Sequence, residues 1–121
     1  MKNFLALFLF IFSLNVFSQD TISTAKAKDY INSLACVTGK VMSYKLASEG
    51  KSTNYINIDA AYPNNIFTIV VTNEYLQNAK IKIEDLKDKI IFVYGRITTY
   101  KNDPKQIPQI FNPRWIEIKK Q

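Results

Sequence analysis

Few residues in this chain have types and spacings suited to covalent chemistry. There is no histidine among the 121 residues. That removes Ser-His-Asp and Cys-His nucleophilic machinery and the usual zinc and iron ligand sets. Cys36 is the single cysteine, so it has no partner for an internal disulfide. A small buried apolar side chain is one reading of it; a reactive thiol or an intermolecular bridge is the other. The ten acidic residues are scattered. Paired carboxylates could still perform acid–base work, but most of these lie in segments that read as loop or solvated surface. No P-loop, dinucleotide fingerprint or EF-hand loop is present. The expectation is a protein that is not an enzyme and has no cofactor or metal. What remains is the chemistry of binding, carried by rings that stack, amides and hydroxyls that hydrogen-bond, and lysines that attract anions.

The segments that must position such residues start after an N-terminal leader. Lys2 gives a positive start, Phe4 to Phe17 is apolar apart from Ser13 and Asn15, and Val16-Phe17-Ser18 precedes Gln19 as a cleavage site. That layout is a secretory signal peptide over residues 1–18. A membrane anchor is the competing reading, but a span needs about 20 apolar residues, and Asp20 follows this shorter run closely. The mature chain, 19–121, is then one small domain, periplasmic or secreted, with no stable membrane insertion. The net charge of +6 becomes +5 without Lys2. A basic domain attracts polyanions. However, fourteen of the sixteen basic residues are Lys in a chain rich in Asn and Ile, so an AT-rich genome explains the bias equally well.

Within the domain, Ser23 to Asn32 reads as a short helix, with Ser23 as N-cap and Asn32 closing it in a left-handed conformation. Leu34 to Ala47 alternates as a strand. Thr53 to Asp59 is a second strand, with Ile56 and Ile58 on one face and Tyr55, Asn57 and Asp59 on the other. Ile66 to Thr72, rich in β-branched residues, is a third. Asn73 to Ala79 reads as a helix capped by Asn73, and a helical turn follows at Ile83 to Leu86. Lys89 to Tyr100 is a fourth strand. Gln106 to Ile118 is a final extended segment, in which Pro108 and Pro113 imply an edge or a bulge. Five short strands with a helical connection between the third and fourth match a mainly β, five-stranded Greek-key OB-type barrel with a short N-terminal helix.

An internal echo supports that topology. Val37-Thr38-Gly39-Lys40-Val41-Met42-Ser43-Tyr44 and Val93-Tyr94-Gly95-Arg96-Ile97-Thr98-Thr99-Tyr100 both read Val-x-Gly-basic-β-branched-x-x-Tyr. Mid-strand glycine is unfavourable unless the strand bends or another backbone comes close. In a small barrel the first and fourth strands pair to close the cylinder, and closure needs strong curvature.

These segments resemble exported OB-fold proteins of the broad nucleic-acid-binding, anticodon-binding-like superfamily. The likeness spans nearly the whole mature chain. It rests on the helix Ala25 to Ile31, Val37-Thr38-Gly39-Lys40-Val41, Tyr55-Ile56-Asn57, Tyr62-Pro63-Asn64-Asn65-Ile66-Phe67-Thr68, Val93-Tyr94-Gly95-Arg96-Ile97, and Pro108-Gln109-Ile110 with Pro113. The loop from Tyr100 to Pro108 is longer than usual for such proteins, and a nuclease-type cluster of acidic and arginine residues is lacking.

OB barrels bind on the face of strands two and three, flanked by the loops between strands one and two and between four and five. That places Tyr55 where a base could stack, Asn57 beside it to meet a base edge, and Thr68 on the third strand. Lys51, Lys101 and Lys105 sit in the flanking loops with Lys45 nearby, while Tyr44, Arg96 and Tyr100 lie on or near the rim. Loop lysines contact phosphates and make binding salt-dependent. Each also has a plain role as barrel cover or solubilising charge. Asp59, on the outward face, works against phosphate. Phe92 and Tyr94 read as packing under the N-terminal helix, and Trp115 beside Arg114 reads as packing the barrel's end or as an exposed anchor for a partner. Two kinds of partner follow: single-stranded nucleic acid or another polyanion, or an envelope protein or oligosaccharide.

Overall fold

The computed structural model describes residues 21–120. The leader over residues 1–18 lies outside the described residues. Seven strands form one mixed sheet: β1 (Thr21–Ser23), β2 (Leu34–Lys45), β3 (Thr53–Ile58), β4 (Phe67–Thr72), β5 (Ile90–Thr99), β6 (Pro108–Phe111) and β7 (Trp115–Ile118). One α-helix, α1 (Asn73–Ala79), and two 3₁₀ turns, Thr24–Tyr30 and Ile83–Leu86, complete the described chain. The sheet order is β1-β2-β3-β4-β6-β5-β7, and β2 also pairs with β5. A ring therefore closes through β2, β3, β4, β6 and β5. The β1–β2 and β4–β6 pairs are parallel, and the other pairs are antiparallel.

Closure runs through the two long strands, as the echo predicts. Leu34 to Lys40 pair with Arg96 to Ile90. Past Lys40, β2 turns to β3, starting at Val41 opposite Ile58. Past Arg96, β5 turns to β6, starting at Ile97 opposite Ile110. Each strand thus changes partner two residues after its glycine, at a β-branched residue that is fully buried. The glycines are needed because something presses on them. A Cβ on Gly39 would collide with Ile58 Cγ2 and stand 2.8 Å from each Asp59 carboxylate oxygen, and one on Gly95 would lie 2.7 Å from Ile110 Cγ2.

Inside the ring, Val37, Val41, Ile56, Ile58, Phe67, Ile69, Val71, Ile91, Val93, Ile97 and Ile110 form the core. Ala27 of the first 3₁₀ turn and Ile83 and Leu86 of the second join it. The first turn is tied down by a carboxylate: Asp59 accepts from Thr24 Oγ1 at 2.5 Å and from the Lys40 N–H at 2.8 Å. The sequence places Asp59 on an outward face opposing phosphate. Instead, its backbone takes a φ of 67° just past β3, and its charge holds turn and strand together.

Besides Asp59, the structure departs from the sequence reading in three places. The strands number seven rather than five, because a three-residue β1 adds to β2 and the last extended segment splits. That split falls at Asn112, whose φ is 43°, followed by Pro113, which has no N–H to donate. Asn112 Oδ1 instead accepts from the Thr72 N–H at 3.0 Å, prolonging the β4–β6 ladder through a side chain. Helix α1 is capped by Thr72, whose hydroxyl accepts from the Tyr75 N–H, and not by Asn73, because the helix starts one residue earlier than the sequence suggests. Finally, Tyr94 does not sit under the N-terminal turn. It lies opposite Trp115 on the outer face of β5 and β7, with ring centroids 5.6 Å apart and planes 19° from parallel. Cys36 is buried in β2 opposite Tyr94.

Asn54 is the most heavily used polar side chain in the interior, at 2% exposure. Its Oδ1 accepts from the Ala47 N–H, and its Nδ2 donates to the Val71 carbonyl and to Asn73 Oδ1. One amide therefore pins the β2–β3 loop to the start of α1. Asn54→Ala orphans these groups and is expected to lower stability by about 2 kcal/mol. Urea unfolding at unchanged m-value reads this directly. A loss below about 0.5 kcal/mol would mean that solvent replaces the bonds.

Candidate ligand-binding groove

The outer face of β2, β3, β4 and β6 is concave and holds an open groove of about 920 Å³. Strand register builds its floor from two cross-strand rows. Ser43, Asn57, Thr68 and Gln109 lie side by side in one row, and Lys45, Tyr55, Val70 and Phe111 in the next. A bulge makes the first column possible. Val41 pairs with Ile58 and Ser43 with Asn57, so Met42 is one residue too many for β3. Strict alternation would put Ser43 and Lys45 on the buried side with Val41; the extra residue re-aims them outward.

Two loops form the walls. The Tyr62–Asn65 loop, with a cis Tyr62–Pro63 peptide, stands on one side. The segment from Tyr100 to Ile107 stands on the other, and Lys105 Nζ reaches across to the Pro63 carbonyl at 3.4 Å. Asp103 locks that second wall. Its two carboxylate oxygens accept from the Lys105 and Ile107 N–H groups, each at 2.9 Å, while Gln106 Nε2 donates to the Asp103 carbonyl. The same two N–H groups hold the Asp103 carboxyl below its ordinary pKa.

Exposed rings dominate the lining. Tyr55 is 41% exposed, Phe111 54%, Tyr100 57% and Tyr62 77%. On the polar floor, Ser43, Asn57 and Thr68 are bonded to one another. Asn57, 4% exposed, donates through Nδ2 to Ser43 Oγ and accepts at Oδ1 from the Thr68 hydroxyl. Thr68 in turn accepts from Asn65 Nδ2 at 2.7 Å. The charged residues of the lining are Lys45, Lys105 and Asp103, a net +1. Among the described residues there is no group of three or more His, Cys, Asp or Glu placed to hold a metal.

Of the residues that the sequence singles out, Tyr55, Asn57, Thr68, Lys45, Tyr100 and Lys105 come together in this groove. Lys51, Lys101 and Arg96 do not line it. Lys51 sits in the turn between β2 and β3, where its N–H donates to the Ser48 carbonyl. Lys101 follows Tyr100 at the head of its loop. Arg96 lies at the β2–β5 pairing, where its guanidinium donates to the Asn32 carbonyl at 2.7 Å. Gln109, Phe111, Tyr62 and Ser43 are lining residues that the sequence reading passed over. For Gln109 and Phe111 a signal existed: they flank Ile110, an apolar residue in an alternating run, and so share its opposite face.

No protein-family model matches this chain, and no curated protein matches it. Solved structures do. One OBody, AM3L15, bound to hen egg-white lysozyme, superimposes with a TM-score of 0.61 at 14% identity, covering 85% of this chain and 96% of that one. The fold is OB-like. A second OBody on lysozyme, AM2EP06, gives a TM-score of 0.57 at 14% identity over 83% of this chain and 93% of its own. A chain described as an aspartyl-tRNA synthetase from Leishmania major Friedlin gives 0.55 at 6% identity over 84% of this chain. This OB-like chain spans 21% of that synthetase's length.

Proposed function

We propose that the protein is an exported, non-catalytic binding module: an OB-type Greek-key barrel whose groove holds an extended single-stranded nucleic acid. The observation that carries this reading is the row Lys45–Tyr55–Val70–Phe111, which puts two exposed rings on one floor beside a cation. Base faces stack on such rings regardless of sequence, and lysines track the phosphates. Export rests on the apolar run Phe4 to Phe17 and the Val16-Phe17-Ser18 site. Among the described residues no helix is long and apolar enough to cross a membrane. One structural neighbour carries tRNA in its name and others are bound to a protein, so the residues of the groove, rather than the fold, have to choose the ligand.

The net lining charge of +1 favours a second reading, in which the groove takes an uncharged oligosaccharide or an extended protein segment of the cell envelope. Salt separates the two. Each phosphate contact to a single strand contributes a slope of about −0.7 in log K against log salt. Lys45 and Lys105 acting alone predict a slope near −1.4, and recruitment of Lys51 and Lys101 takes it to about −2.8. Fluorescence anisotropy of a labelled oligonucleotide across a salt series gives this number. A slope near zero, or no binding at low salt, moves the assignment to the glycan or protein reading.

A further inference from the structure

We propose that Gln109 is the specificity-determining residue of the groove, reading one base of a bound strand while the rest of the site holds bases by their faces. This rests on the nucleic-acid reading above and adds which side chain gives that site a sequence preference.

Hydrogen-bonding capacity separates the polar side chains of the groove floor. Asn57 looks like a base reader in the sequence, but the structure commits its amide at both ends, to Ser43 and to Thr68. Thr68 gives its proton to Asn57 and accepts from Asn65. Ser43 Oγ accepts from Asn57 and also from the Tyr62 N–H at 3.3 Å. Asn57 and Thr68, both buried, cannot turn toward a base without orphaning a partner, and that cost defeats the gain.

Gln109 ends the same row, beside Thr68 on β4 and opposite Thr98 on β5. It is half-buried and lines the groove. Among the described residues nothing hydrogen-bonds its side-chain amide. It therefore offers an acceptor and two donors to whatever enters. It also stands two residues from Phe111 on the same face of β6, about 7 Å along the strand. A base stacked on Phe111 presents its edge within the reach of that amide. A carboxamide matches adenine at N6 and N7 bidentately, so adenine is the preferred base at this one position.

The test compares a short labelled oligothymidine with the same strand carrying one adenine, using anisotropy at fixed salt. The wild-type protein is expected to bind the adenine-containing strand roughly tenfold more tightly, the discrimination of one bidentate pair. Gln109→Ala is expected to erase that difference, so that this variant binds the adenine-containing strand and oligothymidine alike. Gln109→Glu, which can only accept, is expected to move the preference to cytosine through its N4 amino group. That shift is a readout that a merely structural residue would not produce. Equal binding of both strands by the wild type, or a preference that survives in Gln109→Ala, overturns the inference while leaving the groove's role intact. Failure of oligothymidine itself to bind overturns the nucleic-acid reading, and the inference falls with it.

Discussion

Replacing both Tyr55 and Phe111 with alanine is expected to weaken single-strand binding roughly a thousandfold. Each stacked ring contributes about 1–3 kcal/mol per base, and two at mid-range sum to about 4 kcal/mol, near three decades in Kd. The sum is justified by distance. Tyr55 and Phe111 are separated by β4 in their row, so their strands lie about 10 Å apart, far enough for independent effects to add. Neither side chain belongs to the buried core, so the double variant should melt close to wild type. Anisotropy on wild type, each single variant and the double variant checks the claim. A double variant that binds as tightly as wild type would place the ligand elsewhere on the molecule.

The second large effect is on stability. Gly39→Ala and Gly95→Ala are each expected to cost about 2–3 kcal/mol, the upper range for forcing extra atoms into a packed interior. At Gly39 the intruding methyl meets Ile58, which is buried, and the Asp59 carboxylate, which Thr24 and the Lys40 N–H already hold. Neither can retreat without breaking something. At Gly95 it meets Ile110 of β6 and the backbone of Pro113, 3.3 Å away. For a domain of this size each kcal/mol shifts Tm by about 4–8 °C, so a drop of roughly 10–20 °C is anticipated for either variant. Calorimetry of both variants reads it. Little change in Tm would mean that the ring closes with slack at these positions. At Gly50 no atom lies within 4 Å of an added Cβ, and a substitution there is strained by its φ of 78° alone.

Much of the frame is legible in the sequence because it is written in local pattern. The strands around Ile56 and Val93 show their period-two alternation, the strand around Ile69 is rich in β-branched residues, and the Gly39 and Gly95 echo marks the two strands that close the ring. Of the site, Tyr55, Thr68 and Lys105 follow from that alternation and from loop position. What stays hidden depends on pairing across the sheet. The Met42 bulge exists only relative to β3, so nothing in the run Val41-Met42-Ser43 announces that Lys45 will face the groove. Asn57 and Gln109 are both amides on strands. Which one is consumed and which is open is decided by neighbours fourteen and eleven residues away for Asn57, namely Ser43 and Thr68. Asp59 reads as an outward charge because alternation cannot foresee a left-handed residue at a strand's end.

The closed ring also bears on self-association. A strand with an unpaired edge is a template for another chain, and long apolar edges seed fibrils. Here every ring strand has a neighbour on both sides. Among the described residues the two open flanks are β1, three residues long, and β7, four residues long. The second of these carries the exposed Trp115 and Ile118, but Arg114 precedes it and Lys119-Lys120 follow it. Like charges at both ends of a four-residue flank repel an identical flank brought alongside. The closed ring thus leaves only these two short, unequal flanks among the described residues for edge-to-edge pairing.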